Sequence, residues 1–211
     1  MFRDFLKENV KWLGHDGFLV KHNGMNVFFD PYKLKDYSKK ADIIFITHPH
    51  YDHLSLEDIE KIAKEDTVIV CPENGADQLK GYKVVKVNPS DEREVMGIGF
   101  KAVPSYNVNK KFHPKENEWV GYIVDFGGIK IYHAGDTDFI PEMKDFKCNI
   151  ALLPVSGTYV MTAEEAFEAA KAIKPDIAVP MHYGAIVGDK SDAEKFVSLC
   201  EKEGIETFVF E

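Results

Sequence analysis

Short apolar runs divided by turn residues dominate the first half of the chain. Phe18-Leu19-Val20 and Val27-Phe28-Phe29 flank Asn23-Gly24, two residues that tolerate positive φ, so this stretch predicts a β-hairpin. Asp30-Pro31 ends it, because proline cannot extend a hydrogen-bonded ladder. Ile43-Ile44-Phe45-Ile46 is apolar without alternation, as a strand covered on both faces is. Ser55, with Asp58 three residues on, predicts an N-cap and a helix to about Ala63. Thr67–Cys71, Lys83–Val87 and Phe100–Val103 are further strand candidates, and Arg93 with its acidic neighbours reads as an exposed charge run.

The second half repeats the order. Val120–Phe126 and Ile129–Tyr132 surround Gly127-Gly128, a second hairpin, and Ile150–Leu153 is a buried strand. Thr162 with Glu165 forms a capping box opening an alanine-rich helix to about Ile173, stopped by Pro175. Ile177–Val179 is a short strand. Ser191 with Glu194 predicts another capping box and a helix to Glu203 with Gly204 after it, and Thr207–Phe210 a last strand. Strands outnumber helices in both halves. The expectation is an α/β (mixed α+β) architecture, an αββα sandwich of two mixed sheets face to face with helices outside, residues 1–211 forming one domain. A doubly wound parallel sheet is disfavoured by the two tight hairpins, which join antiparallel strands.

Composition narrows the setting. The 211 residues are 45% hydrophobic and 29% charged, ordinary for a globular protein. No apolar run approaches the ~20 residues of a membrane span, and Met1-Phe2-Arg3-Asp4-Phe5 lacks the apolar core of a secretory leader. Cys71, Cys148 and Cys200 form no C-x-x-C pair, which fits a reducing, cytoplasmic compartment. The net charge of -9 disfavours a polyanion such as nucleic acid as partner. A small-molecule substrate is the expectation, phosphorylated or not, with homo-oligomerisation left open.

The chemistry is concentrated in Thr47-His48-Pro49-His50-Tyr51-Asp52-His53, directly after the apolar run ending at Ile46. A loop leaving a strand end can aim alternate side chains at two nearby points. Two metal ions a few ångströms apart need that arrangement, with His48 and His50 on one and Asp52 and His53 on the other. Imidazole nitrogen and carboxylate oxygen are ligands for zinc, manganese, iron or nickel. Asp136 in His133-Ala134-Gly135-Asp136-Thr137, His182 in Pro180-Met181-His182-Tyr183-Gly184 and Asp30 in Phe29-Asp30-Pro31 each follow a predicted strand, so they can converge on the same edge.

H-x-H-x-D-H after a strand, a later G-D-T and a final H-Y-G resemble the metallo-β-lactamase superfamily of dinuclear metal hydrolases. With Trp12-Leu13-Gly14-His15, Phe29-Asp30-Pro31 and Tyr132-His133-Ala134-Gly135-Asp136-Thr137, the chain is similar to the metal-dependent hydrolases that include L-ascorbate-6-phosphate lactonase. The resemblance covers essentially the whole chain. It implies that His48 and His50 bind the first metal, that Asp52 and His53 take part in the second, that Asp136 bridges both and that His182 completes the second. Asp30 matches an aspartate that supports the site from behind. The third ligand of the first metal lacks the usual G-H-T-P-G turn. His113 lies in the right order along the chain and is favoured, while His133 is the competitor, otherwise expected behind the ligands. His15 either lines the site or is a loop histidine.

Two divalent ions sharing a water lower its pKa toward ~7 and supply hydroxide for attack on a carbonyl or phosphoryl centre. Asp52 can take the nucleophile's proton and pass it to the leaving group. Tyr106, Lys110, Lys111 and Lys115 gather around His113, where they could receive a phosphate or carboxylate, and Tyr183 beside His182 is counted with them as substrate-facing. Gly157-Thr158-Tyr159 is placed to line the pocket. The reading is a hydrolase of a small ester or lactone. Its rivals are a phosphodiesterase (nuclease-like or phospholipid-cleaving), an iron-dependent oxidoreductase and a metal-binding protein without turnover.

Overall fold

The computed structural model describes residues 1–210. The first sheet contains β1 (Val10–Gly14), β2 (Gly17–His22), β3 (Met25–Phe29), β4 (Ile43–Phe45), β5 (Val68–Pro72) and β6 (Lys83–Val87), neighbours in chain order. The second contains β7 (Glu92–Val95), β8 (Ile98–Pro104), β9 (Val120–Asp125), β10 (Lys130–His133), β11 (Ile150–Pro154) and β12 (Ile177–Met181), again in chain order. Pairing is antiparallel from β1 to β3 and from β7 to β10, and parallel from β3 to β6 and from β10 to β12. The helices are α1 (Phe2–Asn9), α2 (Leu56–Ile62), α3 (Glu73–Ala76), α4 (Ala163–Ile173) and α5 (Lys190–Lys202). The expected αββα sandwich is the architecture found.

Side-chain alternation builds the layers. Val27, Phe29, Ile43 and Phe45 enter the large core between the sheets, where the Phe45 ring meets Tyr122 and Phe100 of the opposite sheet at 4.9 and 5.2 Å. Phe28, Ile44 and Ile69 face the other way, into a second cluster with Ile59 and Ile62 of α2. This double burial explains why the 43–46 run shows no polar position. α4 packs on β11 and α5 on β12.

Both hairpin turns form as expected, with Asn23 and Gly24 at φ 49 and 79° and Gly127 and Gly128 at 67 and 93°. The caps at Ser55 and Thr162 are present, the Thr162 hydroxyl accepting from Glu165 N and the Glu165 carboxylate from Thr162 N. Two expectations need correction. The last helix starts at Lys190, because Asp189 and Asp192 form the capping box two residues ahead of Ser191 and Glu194. Thr207–Phe210 makes a single bridge, Thr207 to Ala178, rather than a strand. The charge run at Arg93 is exposed as expected and forms strand β7, an edge whose Glu92, Arg93 and Glu94 face solvent while Val95 faces the core. Such charges blunt an open sheet edge. α1 and β1 were not foreseen, although α1 buries Leu6 in the main core. Among the described residues no helix is long and apolar enough to cross a membrane.

Candidate metal centre

The parallel strands of both sheets end on one edge, and the loops leaving those ends carry the titratable side chains, the usual place for a site in such sheets. His48, His50, Asp52 and His53 follow β4, in a loop closed by hydrogen bonds from the His53 and Leu54 amides to the His50 carbonyl at 3.0 and 2.8 Å. Asp136 follows β10 and His182 follows β12. His113 comes from the long loop after β8, pinned where its amide donates to Asn107 Oδ1 at 3.0 Å.

Backbone strain gathers here. His15, Asp30 and His182 adopt φ of 52, 37 and 59°, a region non-glycine residues avoid and active sites often use. Gly135 adopts φ 61°, and a Cβ there would sit 2.8 Å from Thr47 Cβ and 2.9 Å from its Cγ2. Gly135→Ala is therefore expected to cost about 2–4 kcal/mol of stability, read by denaturant unfolding, since strain and overpacking coincide. A loss below ~0.5 kcal/mol would show that the Asp136 turn is not locked against Thr47.

Around the centre, four imidazoles have Nδ1 backed by a side chain outside the cluster of rings. His48 Nδ1 lies 3.0 Å from Thr47 Oγ1, His53 Nδ1 2.8 Å from Asp30 Oδ2, His113 Nδ1 3.3 Å from Asn107 Oδ1 and His182 Nδ1 2.9 Å from Ser156 Oγ. Such contacts fix ring orientation and aim Nε2 into the centre. There His53 Nε2 and His182 Nε2 stand 3.3 and 3.2 Å from Asp136 Oδ1, and His113 Nε2 3.2 Å from Asp136 Oδ2. His48 Nε2 and His50 Nδ1 are 3.0 Å apart. His48, His50 and His113 form one group of ligand atoms within 4.8 Å of one another, and His48, His53 and Asp136 a second. Trp119 covers the first group, its ring 4.8 Å from His50 and 5.0 Å from His48.

Charge follows the same geometry. Burial drives His48 well below the ordinary imidazole value, and a charged His53 adds to the effect. Burial acts on His53 and His182 too, but is outweighed: Asp136 and Asp30 hold His53 well above its usual value, and Asp136 with Asp16 lifts His182 to about 9. Burial would raise Asp136, yet His182 and His53 keep it well below the carboxylate range. A cation bound there would take the place of any proton on these nitrogens.

The donor set fits divalent ions. His53 Nε2, His113 Nε2, His182 Nε2 and Asp136 Oδ1 are all buried without a hydrogen-bond partner. These nitrogens face the Asp136 carboxylate at 3.2–3.3 Å outside hydrogen-bond geometry, an arrangement in a dry interior that a shared cation would satisfy.

The remaining sequence candidates fall in several places. His113, not His133, joins His48 and His50. His133 lies in the core, stacked on Phe29 at 5.2 Å, with Nε2 on the Asp16 carbonyl at 2.8 Å. Asp30 sits behind the ligands, accepting from Thr47 N at 2.8 Å and Thr47 Oγ1 at 2.6 Å besides holding His53. His15 Nε2 is 3.1 Å from Asp52 Oδ2, so His15 borders the site and is not a free loop histidine. Lys110 is paired with Asp138 at 2.6 Å and Lys115 with Glu142 at 3.0 Å, with the Tyr106 hydroxyl donating to Glu142 at 2.9 Å. Asp138 also accepts from Asn107, so Lys110 helps anchor the loop that carries His113. Tyr183 packs against Trp12 with tilted rings 4.9 Å apart and lines, with His15, an 880 Å³ cavity between β1 and α5. The sequence reading missed Asp16, Ser156 and Trp119. Ser156 and Trp119 carry no local motif, whereas Asp16 directly follows His15 and could have been noticed as a carboxylate beside a candidate site residue.

Comparison with known proteins bears on family and fold. The model of the beta-lactamase superfamily domain matches residues 9–182. A "UPF0173 metal-dependent hydrolase" of Thermoplasma acidophilum is 37% identical over 93% of this chain and 93% of its own. Another of that name, from Methanopyrus kandleri, is 30% identical over 95% of this chain and 94% of its own. Among solved structures, Igni18, a metallo hydrolase from Ignicoccus hospitalis, superposes with a TM-score of 0.80 and 27% identity, covering 96% of this chain and 94% of its own.

Proposed function

We propose a reaction for this chain from one premise: it belongs to the metallo-β-lactamase superfamily, among the UPF0173 metal-dependent hydrolases. The reaction is hydrolysis of a small ester or lactone at a centre for two divalent ions. The observation that carries this reading is the set of inward-facing nitrogens and oxygens left without partners while the outward nitrogens are backed. His48, His50 and His113 would hold one ion, His53 and His182 the other, with Asp136 between them.

Bound there, the two ions supply hydroxide near neutral pH and stabilise negative charge that develops on the substrate carbonyl. The chain's own residues do the rest. Asp52 is the proton carrier: its carboxylate is partly exposed, and Oδ2 is held by His15 at 3.1 Å and lies 3.8 Å from His53 Nε2. Burial would raise its pKa, but the His15 hydrogen bond and the charge on His53 bring it below the usual value, so it is ionised and able to accept a proton. It would take the one proton that a water gives up on becoming hydroxide and return it to the leaving oxygen. Trp119 limits water on the side of His48, His50 and His113.

The substrate class follows from what surrounds the centre. Lys110 and Lys115 already face carboxylates, so they favour an uncharged ester or lactone over a phosphorylated one. Tyr183 and the cavity beside His15 suit an apolar portion of that substrate.

The test is a panel of lactones, thioesters and bis-p-nitrophenyl phosphate on metal-reconstituted protein. Lactone or ester turnover should exceed diester turnover, and diester preference would overturn the substrate reading. Asp52→Asn is expected to lower kcat by about 10²–10⁴-fold while the chain still takes up metal. Unchanged kcat would remove Asp52 from the proton path.

A further inference from the structure

The turn between β1 and β2 consists of His15 and Asp16, with Gly14 at φ 100° and His15 at φ 52°. Polar residues at a hairpin tip ordinarily face water. Here the two are 1% and 0% exposed. Burial of His15 is accounted for in part by Asp52 on Nε2, although Nδ1 has no partner. Burial of Asp16 is not, because neither of its carboxylate oxygens has a hydrogen-bond partner. His53 Nδ1 lies 3.9 Å from Asp16 Oδ2 but already serves Asp30 at 2.8 Å. A carboxyl group buried with neither oxygen hydrogen-bonded is costly even when neutral, and such an arrangement persists only where something compensates it.

The turn cannot swing this carboxylate outward. The Asp16 carbonyl accepts from His133 Nε2 at 2.8 Å, and the His15 carbonyl accepts from His182 N at 3.2 Å and Trp12 Nε1 at 2.9 Å. One Asp16 oxygen, one Asp136 oxygen and one His182 nitrogen lie within 4.8 Å of one another. Opposed ligands of a single divalent ion at ~2.1 Å stand about 4.2 Å apart, so a small contraction brings all three onto one ion.

Resting on the two-ion reading above, we propose that Asp16 belongs to the ligand group of the ion held by His53, Asp136 and His182. The two positions then differ in kind. His48, His50 and His113 offer three neutral imidazoles. The second position is rich in carboxylate, with Asp16 and Asp136 directly and Asp52 beside it. Oxygen-rich surroundings favour harder ions, so manganese or ferrous iron suits the second position better than it suits the first.

Metal-stripped wild type, Asp16→Asn and Asp16→Ser are titrated with Mn²⁺ by calorimetry, with folding followed by circular dichroism and ion content by elemental analysis. Wild type should take up two ions. The variants should bind the first within about twofold of wild type and the second about 10–100-fold more weakly. Two ions bound with wild-type affinity by a folded variant overturns the role of Asp16 and leaves the two-ion reading intact. A wild type that takes up only one ion overturns the two-ion reading and this inference with it. On the unmutated protein, anomalous diffraction at the manganese edge should place an Asp16 oxygen about 2.2 Å from an ion. An Asp16 oxygen beyond ~4 Å from every ion overturns the proposal without any substitution.

Discussion

Asp136→Ala should leave the protein folded, unable to retain either ion, and at least about 10³-fold less active than wild type. Asp136 turns its two oxygens toward both histidine groups, with Oδ1 toward His53 and His182 and Oδ2 toward His113. Losing any single supporting contact at a metal centre costs ~10–100-fold in affinity, and removing a shared charge acts on both positions at once. Each electrostatic stabiliser of a developing oxyanion is worth about 10²–10³-fold in rate, so losing the ions removes more than one such contribution. Elemental analysis after desalting, together with kcat/KM on the best lactone or ester substrate, reads the outcome. A variant that keeps both ions and a tenth of its activity would show that Asp136 is structural.

The second large effect falls on stability. Asp30→Ala is expected to cost about 3–5 kcal/mol even without metal, because three donors lose their acceptor in a dry interior. Those donors are Thr47 N, Thr47 Oγ1 and His53 Nδ1, and Asp30 itself is fully buried. His53 would then be free to rotate, so metal affinity should fall together with stability. Urea unfolding of apo wild type and variant measures the first effect, and metal titration of the folded fraction the second. A loss under ~1 kcal/mol would mean that water replaces the carboxylate and that the loop does not depend on it.

How much of this could be read along the chain depended on how local each cause was. Asn23-Gly24, Gly127-Gly128 and the cap at Thr162 act within a few residues, and all three appear where the pattern placed them. Ile43–Ile46 betrayed its double burial because both faces of β4 are covered. Strand β7 was hidden because an edge strand needs only Val95 inside, leaving a charged run that looks like a loop. At the start of α5, two rival acidic and hydroxyl patterns lie two residues apart, and the Asp189 amide on Asp192 decides between them.

The site divides the same way. His48, His50, Asp52 and His53 are consecutive enough to announce themselves. Choosing His113 over His133 required knowing the order of elements, and the structure adds the physical reason. His133 is the last residue of β10 and faces the core against Phe29, whereas Asn107 turns His113 toward His48 and His50. Lys110 and Lys115 pair with Asp138 and Glu142, partners from the later segment after β10 that no local pattern announces. Ser156 behind His182 had no local signal, since the contact exists only once β11 and β12 lie side by side.

The most direct measurement is anomalous diffraction from crystals of wild-type protein saturated with a divalent metal. Two peaks about 3.5–4 Å apart are expected, one among His48, His50 and His113 and the other among His53, Asp136 and His182. A single peak, no peak, or ions held by other side chains under saturating metal would contradict the account.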